Sequence, residues 1–121
     1  MKEEGNASID LRSRTKQFAL RIVRLYSALP NSTVAQVIGK QLLRSGTSVG
    51  AHYREASRAR SDAEFVSKLE VGIQELDEAT YWLELLVESE ILTPEKLAAL
   101  MEEANQLLAI LVTCVKNAKA R

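Results

Sequence analysis

Few side chains in this sequence are of the types that do chemistry, and their spacing supplies only fragments of a site. His52 is the single histidine, and Glu55 follows it by three residues, which places both on one side of a helix. Glu75 and Glu78 repeat this spacing as a carboxylate pair. Di-metal helical bundles use Glu-x-x-His motifs from two helices, and the sequence contains none. We therefore expect His52 to be a hydrogen-bonded structural residue, and we expect no metal or other cofactor.

Nucleophile candidates are equally sparse. Cys114 is the single cysteine, and it falls at the border of a helical apolar stripe, where a thiol usually behaves as a small buried hydrophobic group. The segment Arg44–Gly50 has the glycines and hydroxyls of a phosphate-binding loop, but it lacks the spacing of that motif and follows no predicted strand. Close helix packing accounts better for these glycines, and the sequence predicts no enzyme activity.

The elements that carry these residues are long helices. The 121 residues include only 5 Gly and 2 Pro, too few for the turns of a β-sandwich, and apolar residues recur at intervals of three and four. The short connections make consecutive helices antiparallel neighbours. We predict an all-α fold, an antiparallel up-down four-helix bundle forming one domain over 9–121, behind a flexible N-terminus at 1–8. The predicted helices cover 9–29, 34–58, 62–89 and 94–117.

Local signals mark the ends of these helices. Thr33 with Gln36 and Ser61 with Glu64 have the spacing of capping boxes, and Pro94 takes the first position of the last helix. One stripe in each helix is predicted to face the core. These stripes comprise Leu11, Thr15, Phe18, Ile22, Leu25 and Leu29; Val34, Ile38, Leu42, Ser45, Val49, His52 and Ala56; Phe65, Leu69, Gly72, Leu76, Thr80, Leu83 and Val87; and Leu97, Leu100, Ala104, Leu107, Leu108, Leu111 and Val115.

Charge is unevenly distributed along the chain, although the formal net charge is zero. Residues 1–60 contain 11 Lys and Arg against 4 Asp and Glu, a net +7, and residues 61–121 contain 5 against 12, a net −7. Such a split indicates a polyanion partner, unless the two halves pack together and neutralise each other through salt bridges. Arginine suits phosphate oxygens, and no aromatic ladder indicates base reading. The candidate nucleic-acid contacts are Arg14, Arg21, Arg24, Lys40, Arg44, Arg54 and Arg58.

Two helix faces carry features that an isolated bundle does not need. Val71, Trp82 and Leu85 lie far from the core stripe of helix 3, which favours a subunit or partner interface unless helices 1 and 4 wrap over them. Aligned glycines in helix 2 cost about 1 kcal/mol each relative to alanine, so they suggest close approach by a neighbouring helix or another subunit. The predicted oligomer interface comprises Gly39, Gly46, Gly50, Val71, Glu75, Glu78, Trp82 and Leu85.

The compartment is predicted from what the sequence lacks. No apolar run approaches the roughly 20 residues of a membrane span, and the charged N-terminal residues do not resemble a signal peptide. A single cysteine allows no intrachain disulfide. We expect a cytoplasmic protein without membrane contact.

The segment Leu43–Ala56, with the sequence LRSGTSVGAHYREA, resembles the signature of the four helix bundle protein family, whose members include proteins encoded inside 23S ribosomal RNA intervening sequences. Phe18–Val23 and Glu75–Leu86 resemble the flanking family segments, so the resemblance spans about 10–112. It implies a homopentameric ring and no established catalytic activity. It also implies similarity to the accessory protein of diversity-generating retroelements, which has a basic surface and associates with nucleic acid and a reverse transcriptase. The family usually has asparagine where this chain has His52.

Charge and resemblance together lead to one hypothesis. The chain is expected to be a non-enzymatic, homo-oligomeric and pentameric accessory protein that binds RNA or DNA, with a polymerase as a further partner. A ring of copies would multiply a weak basic surface into an avid one. The alternative is a protein-interaction scaffold without affinity for nucleic acid, which the apolar face of helix 3 and the zero net charge would favour.

Overall fold

The computed structural model of the protein describes residues 10–121, which form four helices and no strand. The predicted all-α class and its four helices are confirmed, while the predicted flexible segment 1–8 lies outside the described residues. The helices are α1 (Leu11–Ser27), α2 (Thr33–Ser57), α3 (Asp62–Glu88) and α4 (Pro94–Lys119).

Consecutive helices run in opposite directions. Gly50, late in α2, lies against Thr15, early in α1, whereas Gly39, early in α2, lies against Leu29 just after α1. In the described part of the chain α1 packs on α2, α2 on α3, α3 on α4 and α4 on α1, and the two diagonal pairs do not meet. The helices therefore follow one another around the bundle in chain order, and each one packs against two neighbours, with the contact between α1 and α4 the smallest.

The core lies between the four helices and consists mainly of leucine. Most of the predicted stripe is buried, and Phe18 and Ile22 of α1 have no exposed surface. Val34 is an exception, because its side chain is 57% exposed while Ala35 is fully buried. Adjacent helical positions differ by about 100° in direction, so the inward position of Ala35 turns Val34 outward. The prediction for Val34 was therefore wrong.

The start of α2 also differs from the prediction. The hydroxyl of Ser32, rather than that of Thr33, accepts the capping hydrogen bond, which comes from the N–H of Ala35 at 3.2 Å. Gln36 does not reach back to the cap, because its side-chain oxygen accepts a hydrogen bond from the Tyr26 hydroxyl at 2.7 Å. This bond ties the beginning of α2 to the end of α1. The capping box proposed for Thr33 and Gln36 is thus absent.

The cap of α3 matches the sequence. The hydroxyl of Ser61 accepts a hydrogen bond from the N–H of Glu64 at 3.0 Å. The carboxylate of Glu64 accepts from the N–H of Arg60 at 3.2 Å, one residue before the cap. Since Asp62 and Glu64 add negative charge at the positive end of the helix dipole, the start of α3 is well stabilised.

Within residues 10–121, α4 is the one helix whose length and composition would also suit a membrane span. The sequence did not predict this, because Glu102 and Glu103 interrupt the apolar residues of α4. In the bundle, Leu100, Leu107 and Leu111 of α4 face the core. A cytoplasmic location without membrane contact stays a prediction.

Candidate nucleic-acid interface

The glycines of α2 bring α1 and α2 into close contact. A Cβ atom at Gly46 would lie 2.9 Å from the Cγ1 atom of Ile22, and one at Gly39 would lie 2.5 Å from the Cδ1 atom of Leu29. Gly50 approaches α1 in the same way, and all three glycines are buried. The neighbouring helix of the same chain therefore covers them. This corrects the prediction that Gly39, Gly46 and Gly50 line an interface between subunits.

Arg14 connects α1 to α4. Its guanidinium donates hydrogen bonds to both carboxylate oxygens of Glu103, at 2.8 and 2.9 Å, and to the side-chain oxygen of Gln106 at 2.7 Å. The hydrogen bond to Glu103 raises the pKa of Arg14. Because this guanidinium pairs with a carboxylate of its own chain, Arg14 follows the salt-bridge alternative.

Arg44 is engaged in the same manner between α2 and α3. It pairs with Glu75 at 3.1 Å and with Glu78, whose carboxylate also accepts a hydrogen bond from Nε1 of Trp82 at 3.1 Å. The bond from Trp82 lowers the pKa of Glu78, and Arg44 adds to the effect. The two glutamates therefore compensate a cation of their own chain, on the outer side of the seam between α2 and α3.

The remaining predicted contacts form no ion pair with any residue in the range 10–121. The two on α1 lie on the same flank as Arg14, which faces α4. The three from α2 and its C-terminal end lie on the outer side of that helix and toward α1. They are Arg21, Arg24, Lys40, Arg54 and Arg58. The seven predicted residues thus do not form one surface.

Two further cations complete a surface that the sequence reasoning missed. Arg12 and Lys16 are exposed on the flank of α1 that adjoins α2, one helical turn apart. We use the term α1–α2 face for the outer surface that carries Arg12, Lys16, Lys40, Arg54 and Arg58. The pairing of the α2 glycines with α1 was the signal that could have found it, because it identifies which flank of α1 adjoins α2.

A shallow groove of about 300 Å³ runs between the two helices on this face. Lys16 and Arg54 form its walls, and small side chains form its floor. We call it the α1–α2 groove, and its lining residues are Thr15, Lys16, Ala19, Thr47, Gly50, Ala51 and Arg54. Two cations beside a floor of short side chains leave room for an extended anion to approach.

Carboxylates are nearly absent from this side of the bundle. Glu55 is the single acidic residue of α1 and α2, and it lies on the flank toward α3, 3.6 Å from Lys68. Asp10 caps α1 by accepting a hydrogen bond from the N–H of Ser13 at 3.1 Å. Since α1 adjoins α2 and α3 adjoins α4, the two helices from the half of the sequence with net positive charge are neighbours, and so are the two from the half with net negative charge.

His52 lies in the seam between α2 and α3. Its side chain is 25% exposed, and its Nδ1 atom is 3.7 Å from Glu55, too far for a hydrogen bond. This buried nitrogen has no hydrogen-bond partner among the described residues, so the expected hydrogen-bonded histidine is not found at this atom. Gly72 of α3 lies against this residue, because a Cβ atom on the glycine would be 3.3 Å from the Cβ atom of His52.

Other groups with chemical potential are isolated. No group of three or more His, Cys, Asp or Glu side chains within 10–121 could hold a metal ion. Cys114 is half-buried against the core, as expected, and burial raises the pKa of its thiol. A thiol with a raised pKa is a poorer nucleophile at neutral pH.

Apolar side chains are exposed on the outer side of the seam between α2 and α3. Val37 is 58% exposed and Tyr81 is 53% exposed, and the ring of Tyr81 meets that of Trp82 edge to face at 5.0 Å. The opposite directions of α2 and α3 bring the start of α2 beside the end of α3, where Leu85 is half-buried. We call Val34, Val37, Tyr81, Trp82 and Leu85 the apolar patch. Helices α1 and α4 pack on the other flanks, so they do not cover it.

The comparisons with known proteins agree with the resemblance in sequence. The family model described as 23S rRNA-intervening sequence protein matches residues 8–113. The fold is similar to the crystal structure of a protein with unknown function from the S23 ribosomal protein family of Bacteroides thetaiotaomicron VPI-5482. The TM-score is 0.83 and the identity is 39%, over 88% of this chain and 99% of that chain. No curated protein matches. The chain belongs to the 23S rRNA-intervening sequence protein family.

Proposed function

We propose that this protein is a non-enzymatic, homo-oligomeric accessory protein that binds RNA or other nucleic acid through the α1–α2 face. The observation that carries this proposal is the composition of that face. It presents cations without ion-pair partners among the described residues, and the two helices beneath it contain a single carboxylate, which faces α3. Phosphate contacts of this kind supply most of the affinity of non-specific nucleic-acid binding.

Self-association completes the proposal. The apolar patch exposes aromatic and branched side chains that a soluble monomer rarely leaves in water, so a second copy is a reasonable occupant. The pentameric state itself comes from the family resemblance. Several copies of the α1–α2 face on one particle would act together on a long polyanion, and avidity would raise a modest affinity.

Salt dependence tests the nucleic-acid part of the proposal. Purified, nuclease-treated protein is titrated onto labelled RNA while fluorescence anisotropy reports binding, at several concentrations of salt between about 50 and 200 mM. We expect the logarithm of the binding constant to fall linearly with the logarithm of salt concentration, because bound phosphates release their counterions. A binding constant that does not change with salt concentration, or no binding at the lowest salt concentration, would contradict the proposal.

Native mass spectrometry tests the assembly. We expect a single closed oligomer, with five copies as the state that the family resemblance implies. Replacing Val37 and Tyr81 with aspartate would place charge in the apolar patch and should dissociate the assembly. A matched variant at exposed Ala98 and Ala99 of α4 should leave it intact. A wild-type protein that stays monomeric at high concentration would rule out self-association.

A protein-interaction scaffold is the second candidate, and the apolar patch is the observation that favours it. The internal pairing of Arg14 and Arg44 also removes two cations from those first assigned to nucleic acid. Capture of partners from a lysate treated with nuclease separates the candidates. A partner that is retained after the treatment, and is lost when Val37 and Tyr81 carry aspartate, supports the scaffold. A partner that disappears with the nucleic acid supports the first proposal.

A further inference from the structure

We infer that the α1–α2 face binds the phosphate backbone of a nucleic-acid duplex, in preference to a single strand and without reading bases. This inference rests on the proposed function and specifies the class of nucleic acid. Three features of the face support it: the lack of exposed aromatic side chains, the spacing of the cations along α2, and the hydrogen bonds that the hydroxyl groups already form within the helices.

The α1–α2 face has no fully exposed aromatic side chain on which a base could stack. Among the aromatic residues of α1 and α2, Phe18 is fully buried and the Tyr26 hydroxyl is bound to Gln36 at 2.7 Å. Tyr53 is half-buried against the core, and the exposed Tyr81 belongs to α3. Proteins that bind single strands without sequence preference combine cations with aromatic side chains that stack on successive bases. This face has the cations alone.

The cations of α2 lie at the two ends of one outer ridge. Lys40 and Arg54 are 14 residues apart, which is about 21 Å along a helix, and Arg58 extends the far end by one turn. Thr47 and Ala51 occupy the middle of the ridge, where the short side chains also form part of the groove floor. The ridge therefore has cations at both ends and short side chains in its middle, where Lys16 of α1 forms the opposite wall of the groove.

A duplex fits this arrangement better than a single strand does. It presents two separate rows of phosphates along a rigid body, so cations far apart on one ridge can each contact a row. Its body can rest on the middle of the ridge while the cations at each end reach separate rows. A single strand along the ridge would pass Lys16 at the middle but would find no exposed aromatic side chain on which its bases could stack. Double-stranded RNA is recognised in general through shape and backbone contacts.

The polar groups of the groove are already used within the helices. The hydroxyl of Thr15 donates to the carbonyl oxygen of Leu11 at 2.6 Å, and that of Thr47 donates to the carbonyl oxygen of Leu43 at 2.7 Å. The groove is lined by no Asn or Gln that could pair with a base edge. Contacts from Lys16 and Arg54 to phosphate oxygens fix a position on the duplex but do not specify a sequence.

The test compares a short RNA duplex, the DNA duplex of the same sequence and each separate strand, using fluorescence anisotropy with the full-length protein. A double variant, Lys16→Ala with Arg54→Ala, removes two cations from the face. The matched control, Lys96→Ala with Lys116→Ala, removes two exposed cations from α4. All four residues are charged side chains on helix surfaces, and far-UV circular dichroism checks that both variants fold.

We expect both duplexes to bind about tenfold or more tightly than the single strands, with little dependence on sequence. The Lys16/Arg54 variant should bind the duplexes about tenfold more weakly, and its salt slope should fall by about two for each copy in contact. The Lys96/Lys116 control should change neither quantity.

Three results would overturn the inference. Single strands that bind as tightly as the duplexes would remove the preference while leaving the proposed function in place. A Lys96/Lys116 control that weakens binding as much as the Lys16/Arg54 variant would place the contact on another face. Absence of binding to every probe at about 50 mM salt would remove both the inference and the proposed function.

Discussion

Replacing Gly46 with alanine tests how tightly α1 and α2 meet. A Cβ atom at this position would lie 2.9 Å from Cγ1 of Ile22 and 3.1 Å from its Cγ2. Ile22 is fully buried, and a β-branched side chain keeps one preferred rotamer in a helix, so it has no way to swing aside. Overpacking of this kind costs about 1–3 kcal/mol, which the better helix propensity of alanine offsets by about 1 kcal/mol. We expect Gly46→Ala to lower the free energy of unfolding by about 1 kcal/mol.

The Ile22→Ala background should reverse the sign of this effect. Ile22→Ala alone should cost about 2–5 kcal/mol, because it leaves a cavity at the seam. A methyl group at position 46 then meets no obstacle, so Gly46→Ala should raise the free energy of unfolding by about 1 kcal/mol in that background. Exposed Ala51→Gly, in the same helix, serves as the control for the intrinsic difference between alanine and glycine and should cost about 1 kcal/mol.

Urea unfolding measures these differences, with Trp82 fluorescence as the probe and with a fixed protomer concentration, since self-association makes stability depend on concentration. The coupling between positions 22 and 46 is the decisive quantity. If Gly46→Ala stabilised the protein in the native background by as much as Ala51→Gly destabilises it, α1 would not approach α2 as closely as described. The account of both the seam and the groove above it would then be refuted.

Two further predictions concern the seam between α2 and α3. The folded-state pKa of Glu78 is lowered by the bond from Trp82 and by Arg44, so its stabilising contribution is present above the ordinary glutamate pKa of 4.5 and is lost as pH falls below that value. The difference in melting temperature between the wild type and Glu78→Gln should therefore shrink on acidification, and a difference that persists at low pH would contradict the pairing. His52→Asn should change the free energy of unfolding by less than about 1 kcal/mol at neutral pH, because Nδ1 bonds to no described residue. A larger loss in urea unfolding would mean that the histidine has a partner.

The periodicity of apolar residues was sufficient to predict the fold. Helix starts and ends came within two residues of the structure, because Pro30, Ser61 and Pro94 are strong local signals and the apolar stripes are long. Val34 was wrongly assigned to the core because a valine in the first turn of a helix fits the spacing of the apolar stripe whether or not a neighbouring helix covers it. In this bundle Val34 is 57% exposed, and only the tertiary arrangement decides this.

The candidate site was harder to predict because it depends on which flank of each helix meets which neighbour. Arg14, Arg21 and Arg24 share one flank of α1, and the sequence showed this correctly. It did not show that the flank turns toward α4, where Glu103 occupies Arg14. Arg12 lies on the flank beside α2 and was left out for the same reason. The sign of the net charge on each pair of neighbouring helices can be predicted without these details, because it depends only on which helices are neighbours. The partner of each individual arginine cannot be predicted in this way.

The two proposed surfaces use different flanks of α2, and this makes them compatible. The α1–α2 face lies toward α1, and the apolar patch lies toward α3. Arg44 stands between them, and its pairing with Glu75 and Glu78 neutralises the border, so that a second copy docking on the patch would meet a compensated network and not a lone charge. Lys16 and Arg54 lie on the α1 side of α2, away from the apolar patch. Val37→Asp should then reduce the number of copies in the particle, while the dependence of nucleic-acid binding on salt concentration stays the same for each copy. If that salt dependence is lost when the assembly dissociates, phosphate is bound between copies instead.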